Sequence, residues 1–162
     1  MQCGGTRQYG FIAHGLWPQY EKGWPQFCRS NEALPKPVID EVTDIMPSPQ
    51  LIRHEWSRHG VCDGRPAREY FFKVRAAHQK VKVPPALQKP ANARTVKPEV
   101  IRNEFVAANP GMPAESIIVT CSGRFLQEVR VCFTKDLQAR ACTPEIQRQA
   151  CRVPQLIVQP LR

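Results

Sequence analysis

The chain reads as an α+β domain, and three observations carry that reading. Apolar residues recur at helical spacing through its middle, while short β-branched runs lie toward both ends. Sixteen prolines among 162 residues cut the chain into short elements and exclude a long helical bundle. No repeat, low-complexity stretch or linker interrupts the pattern. Residues 1–162 are therefore expected to form one domain, with helices packed on a central antiparallel sheet.

YGFIAHGLW, residues 9–17, has the apolar run of a buried strand passing into a polar edge. Residues 22–37 form a proline-rich loop. VIDEVTDIM places Val38, Val42 and Ile45 at helical spacing, and MPSP ends that helix. In SPQLIRHEWSRHG, Ser48 is an N-cap, Pro49 suits the first helical position, and Gly60 fits just past the helix end. Residues 66–81 make another helix, residues 81–95 a basic, proline-rich connector, and residues 98–109 a third good helix closed by Pro110 and Gly111. ESIIVTCS and EVRVCFT read as strands, the second alternating through Val129, Val131 and Phe133, and LIVQP as a last short one.

A net charge of +9 and a pI near 9.5 suit a polyanionic partner or an acidic surface, but equally simple solubility. No segment approaches the roughly 20 apolar residues of a membrane span, so no membrane partner is expected. Seven cysteines, none in a CxxC pair, fit disulfides in an oxidising compartment better than a zinc ribbon. MQCGGTRQYG lacks the charged start and apolar run of an export signal. The expected setting is secreted or periplasmic, with the signal absent from this chain and one cysteine left over.

Three of the four histidines fall in two short motifs, FIAHGLWPQY and RHEWSRHGVC. On a helix turning about 100° per residue, with His54 as zero, Arg58 falls near ~40°, Glu55 near ~100° and His59 near ~140°. The four polar side chains share a face, and Trp56 at its far edge can anchor the helix in the core. Glu55 and His59, four apart, set a carboxylate beside an imidazole, which should raise the histidine pKa and help fix its orientation. Zinc does not fit: the histidines are five apart rather than four, and Arg58 would put a fixed charge beside the cation. A solvated helix face with incidental histidines is the plain alternative. His78, among Gln79, Lys80 and Lys82, is expected to be solvated and idle.

Phosphodiester cleavage needs a base for the attacking hydroxyl, an acid for the leaving oxygen, and cations for the five-coordinate phosphorus. RNA brings its own 2′-OH, so two histidines and an arginine need neither metal nor cofactor. His14 could supply the second imidazole. Trp17, with Tyr20 three residues on, could supply aromatic surface for bases.

HGLWP (14–18) and HEWSRHGVC (54–62) resemble the two active-site segments of the ribonuclease T(2) family, HGLWP and HEWxKHGTC. The pair is highly specific in this order and separation, and the likeness extends through most of the chain. It implies an α+β fold and metal-free cleavage of single-stranded RNA through a 2′,3′-cyclic phosphate, with little base preference; the chain is expected to be a monomer. By position it implies His59 as general base and His14 as general acid. Glu55 and Arg58 fall on the pair that stabilises the phosphorane, His54 on the phosphate-binding histidine, and Trp17 on the aromatic near the first base. It also implies the disulfides Cys28–Cys62, Cys121–Cys151 and Cys132–Cys142, leaving Cys3 as a free thiol.

The chain departs from the pattern in three places. Arg58 stands where the family most often has lysine, Val61 where it has threonine, and only 13 residues precede His14. The arginine changes a point charge into a planar fork, and Arg58→Lys is expected to give equal or higher turnover. The short start implies a truncated or processed form whose N-terminal strand is missing. A member that kept the fold and bound RNA without cleaving it, as a regulatory protein, is the alternative function.

Overall fold

A computed structural model describes residues 10–160, and the chain forms two compact units. Within the described residues the first spans Ile12–Val81. The second comprises Gly10, Phe11 and Lys82–Pro160.

Three helices build the first unit: α1 (Lys36–Val42), α2 (Pro49–Arg58) and α3 (Ala67–Gln79). Helix α1 begins after Pro35 and carries proline in its first turn, where a missing N–H costs nothing. Val38, Ile39 and Val42 line its buried face, and Ile45 and Met46 extend that face beyond the helix end. Helix α2 starts as its sequence dictates, with Ser48 Oγ accepting from Leu51 N–H at 3.2 Å. Its apolar face, Ile52 and Trp56, meets Tyr70, Phe71 and Val74 of α3. The Trp56 ring lies 5.7 Å from that of Tyr70 and 6.3 Å from that of Phe71. Each such large side chain contributes about 1.5–3 kcal/mol by leaving water, so this core fixes where α2 presents its polar residues.

Gly60 follows the C-cap, His59, and opens a short 3₁₀ turn, Gly60–Cys62. Its glycine is required by crowding rather than by a left-handed cap, because a Cβ there would strike the Trp56 ring and lie 3.0 Å from Tyr70 Cε1. The Cys28–Cys62 disulfide ties the preceding loop to this turn.

The second unit holds α4 (Pro85–Gln88), β1 (Arg94–Val96), α5 (Pro98–Ala108), β2 (Ile117–Ser122), β3 (Phe125–Val131), α6 (Pro144–Gln147) and β4 (Leu156–Val158). The strand order is β1-β4-β3-β2. Strands β2 and β3 form a hairpin through Gly123 and Arg124; the left-handed φ of +56° at Gly123 is what glycine tolerates. Strands β1 and β4 are also antiparallel, but β3 and β4 run parallel where Phe125 faces Ile157. The sheet is thus mixed at one junction rather than antiparallel throughout. Helix α5 packs on β2, burying Ile101, Phe105 and Ile117. Asn109 closes α5 by accepting from Lys82 N–H (2.7 Å) and donating to the carbonyls of Lys82 and Phe105 (both 2.8 Å). Cys121–Cys151 and Cys132–Cys142 staple the segments around β2 and β3. The three disulfides join the same pairs that the sequence resemblance implies.

Two expectations need correction. Among the described residues no strand lies N-terminal to Arg94, so the sheet draws only on the later half of the chain. Residues 10–20 belong to no helix or strand. Ala13 N–H donates to Ile45 O at 2.9 Å, and Ala13 and Leu16 pack on the helical core, so their apolar character serves helices rather than a sheet. Tyr9 and Cys3 lie outside the described residues. His78 is half-buried rather than solvated, and burial, then the Arg75 charge, holds its pKa below the usual histidine value.

Candidate active site

The site is assembled entirely within the first unit, from the HGLWP segment and the C-terminal half of α2. Its centre is Glu55, only 2% exposed, whose Oε2 accepts the Trp17 indole N–H at 2.6 Å. Gly15 makes that bond possible: a Cβ there would run into Oε2 and lie 2.9 Å from Trp17 Nε1. The segment is held from the other side by Tyr70, whose hydroxyl donates to Leu16 O at 2.8 Å. Glu55 Oε1 lies 3.7 Å from His14 Nε2, an ion pair whenever that ring is protonated. Burial pushes the Glu55 carboxyl above its usual range. The Trp17 bond and the charges of His14, His54 and Arg58 oppose that shift without cancelling it.

His14 and His59 flank one indole. The His14 and Trp17 rings are 5.6 Å apart, and the Trp17 and His59 rings 5.4 Å. His14 is about half exposed (48%), whereas His59 is buried. Burial, followed by the charges of Arg58, His54 and His14, lowers the His59 pKa to about 4.

This reverses the effect expected from the Glu55–His59 spacing. His59 is the C-cap of α2, with φ −120° and ψ −46°, so the regular i,i+4 geometry ends before it. Its backbone N–H still donates to Glu55 O at 2.9 Å, but the Glu55 carboxylate serves Trp17 and His14 instead. His59 Nδ1 is buried and makes no hydrogen bond among the described residues. Among the described residues no carboxylate bonds that nitrogen.

Arg58 donates from Nε to Gln26 Oε1 at 3.3 Å, with its Cζ 5.8 Å from the Phe27 ring centroid. His54 is exposed one residue before Glu55, and its charge is felt by both Glu55 and His59. Tyr20 is 62% exposed at a turn where its N–H donates to Gly23 O at 3.1 Å; among the described residues no ring contact ties it to either histidine. The structure thus brings His14, Trp17, Glu55, Arg58 and His59 into one neighbourhood and leaves Tyr20 at its margin.

Sequence reasoning missed Gly15 as a spacer and Gln26 and Phe27 as neighbours of Arg58. The available signal was PQFC: Cys28, paired to Cys62, brings that segment to the end of the helix carrying Arg58. Among the described residues no three His, Cys, Asp or Glu side chains gather as a metal-holding group, and no helix is long and apolar enough to cross a membrane.

The disulfide-bonded α+β fold defines a class that known proteins share. The profile of the Ribonuclease T2 family matches residues 2–142. A ribonuclease of Aeromonas hydrophila is 32% identical over 99% of this chain and 76% of its own length. A probable ribonuclease of Haemophilus influenzae is 36% identical over 51% of this chain and 33% of its own. Among solved structures, RNase NT in complex with 5′-AMP superposes with a TM-score of 0.70 at 21% identity, covering 99% of this chain and 92% of that one. The chain belongs to the Ribonuclease T2 family.

Proposed function

We propose that the protein is an endoribonuclease that cleaves single-stranded RNA by transphosphorylation through a 2′,3′-cyclic phosphate. It does so without metal or cofactor, with little base preference, and as a monomer. The observation that carries this reading is the pair of imidazoles on one indole in opposite settings. His59 is kept neutral by burial down to a pH of about 4, as a general base must be. His14 is half exposed and faces a buried carboxylate, as suits an imidazolium that gives its proton to a leaving oxygen.

In this reading His59 takes the 2′-OH proton, and the resulting oxygen attacks phosphorus. His14 protonates the departing 5′-oxygen. Glu55 and Arg58 stabilise the phosphorane together, and Arg58 supplies positive charge. His54 binds phosphate, and Trp17 and Tyr20 receive bases. Three disulfides support a secreted or periplasmic setting.

The test is purified protein on homopolymeric RNA and on single-stranded DNA, in chelator, with products identified. RNA should be cut to 2′,3′-cyclic phosphate ends and DNA left intact, because DNA lacks the nucleophile. His14→Ala and His59→Ala should each lower turnover by about 10²–10⁴-fold. Recovery of 5′-phosphate ends would refute the mechanism. RNA bound but uncut would favour the non-catalytic RNA-binding member.

A further inference from the structure

The Gln26–Cys28 segment is held against the end of α2 and the turn after it by five contacts, two of which involve the Arg58 side chain. Phe27 N–H donates to the Arg58 carbonyl at 2.8 Å, meeting one of the acceptors that a helix end leaves open. Cys28 is bonded to Cys62, and its N–H lies 3.2 Å from Cys62 Sγ. Gln26 Oε1 accepts from Arg58 Nε at 3.3 Å, and the Phe27 ring lies 5.8 Å from the guanidinium carbon.

Phe27 holds this place at φ +52°, a backbone region unfavourable for a large side chain, and the residue is 62% exposed. Neither feature is explained by core packing. Both are explained if the ring's task is to meet the arginine.

We propose that Gln26 and Phe27 are positioning residues for Arg58, a device matched to arginine rather than to lysine at this place. The proposal rests on the reading of Arg58 as a phosphorane-stabilising group. A guanidinium has five N–H donors on a rigid fork. The Gln26 bond uses the Nε–H and leaves the four Nη donors out of it, so the same cation can be anchored by the chain and still offer its outer edge to phosphate oxygens. Its Cζ lies 5.8 Å from the Phe27 ring centroid, within the range where a cation is attracted to an aromatic. A lysine carries its charge on one atom, which Gln26 and the phosphate would have to share. The glutamine that helps arginine would therefore compete for lysine, so Arg58→Lys should lower turnover in this chain rather than leave it equal or raise it.

The experiment is a double-mutant cycle on RNA cleavage, with kcat and KM measured separately for Gln26→Leu and Phe27→Leu in the Arg58 and Arg58→Lys backgrounds. In the Arg58 background each substitution should lower kcat by about threefold to tenfold, the worth of one modest hydrogen bond or cation–π contact. KM should change by less than about twofold, because the anchored charge acts on the transition state. Beside lysine, Gln26→Leu should leave kcat equal or raise it. Gln26 is exposed, so its variant should melt with the parent, which separates positioning from structure. An equal loss in both backgrounds, a loss confined to KM, or no loss at all would overturn the proposal. Arg58→Ala keeps the two failures apart: undiminished turnover would remove Arg58 from the site and sink the reading beneath, whereas a large loss with Gln26 inert would sink the positioning alone.

Discussion

Replacing Gly15 with alanine adds one methyl group at the most crowded point of the site. That carbon would collide with Glu55 Oε2 and stand 2.8 Å from Glu55 Cδ and 2.9 Å from Trp17 Nε1. Side-chain carbons essentially never approach heavy atoms that closely, so something must move. Glu55 is too deeply buried to escape into water, and Trp17 can leave only by giving up its 2.6 Å bond. Losing a hydrogen bond to a charged group costs about 1.5–3 kcal/mol, and overpacking by one carbon costs about 1–3 kcal/mol. Breaking the bond relieves part of the clash, so the two do not simply add, and about 2–4 kcal/mol is expected. For a chain of this size that corresponds to about 4–16 °C in Tm, read by circular dichroism under non-reducing conditions. Trp17→Phe is the comparator, since it removes the indole N–H without adding a clash. Its cost should be about 1.5–3 kcal/mol, greater at high pH where the buried carboxylate is ionised and smaller where it is protonated. A Gly15→Ala protein melting within about 1 °C of the parent would show that the indole–carboxylate clamp does not organise the site.

The buried His59 makes stability depend on pH. Its pKa falls from 6.5 to about 4 on folding, so between those values the unfolded chain binds a proton that the folded chain does not. Stability should then fall as pH drops from about 6.5 to about 4, by up to roughly 3 kcal/mol from this group. Denaturant titrations of His59→Asn should show a shallower slope over that window; an unchanged slope would refute the shift. Glu55 tilts the curve the other way, because its raised pKa makes the folded chain hold a proton more readily and stability decline as pH rises above 4.5. Removing the Cys28–Cys62 bridge as a double serine variant opens a loop of 34 residues, and chain entropy alone predicts a loss of about 3–4 kcal/mol by urea denaturation.

The sequence by itself determined the family and the local elements that can be read one segment at a time. Ser48 and Pro49 start α2 because capping chemistry is local. Ile52 and Trp56 face the core because helical spacing puts them there. HGLWP and HEWSRHGVC mark the family by residue type and order alone. Tertiary structure decided what each polar group experiences, since burial and approach across 38 residues of chain leave no periodic mark. Glu55 and His59, four apart, promise a carboxylate–imidazole pair, but the C-cap geometry of His59 and the arrival of Trp17 over Gly15 redirect the carboxylate to the indole and His14. Burial then lowers the histidine pKa that local spacing would have raised. YGFIAHGLW is apolar enough for a strand, yet strand formation needs a neighbour's backbone, and here Ala13 and Leu16 pack on the helical core instead. The contact of Gln26 and Phe27 with Arg58 was equally invisible, because only the disulfide-tethered fold carries residues 32 and 31 positions apart to the same charge.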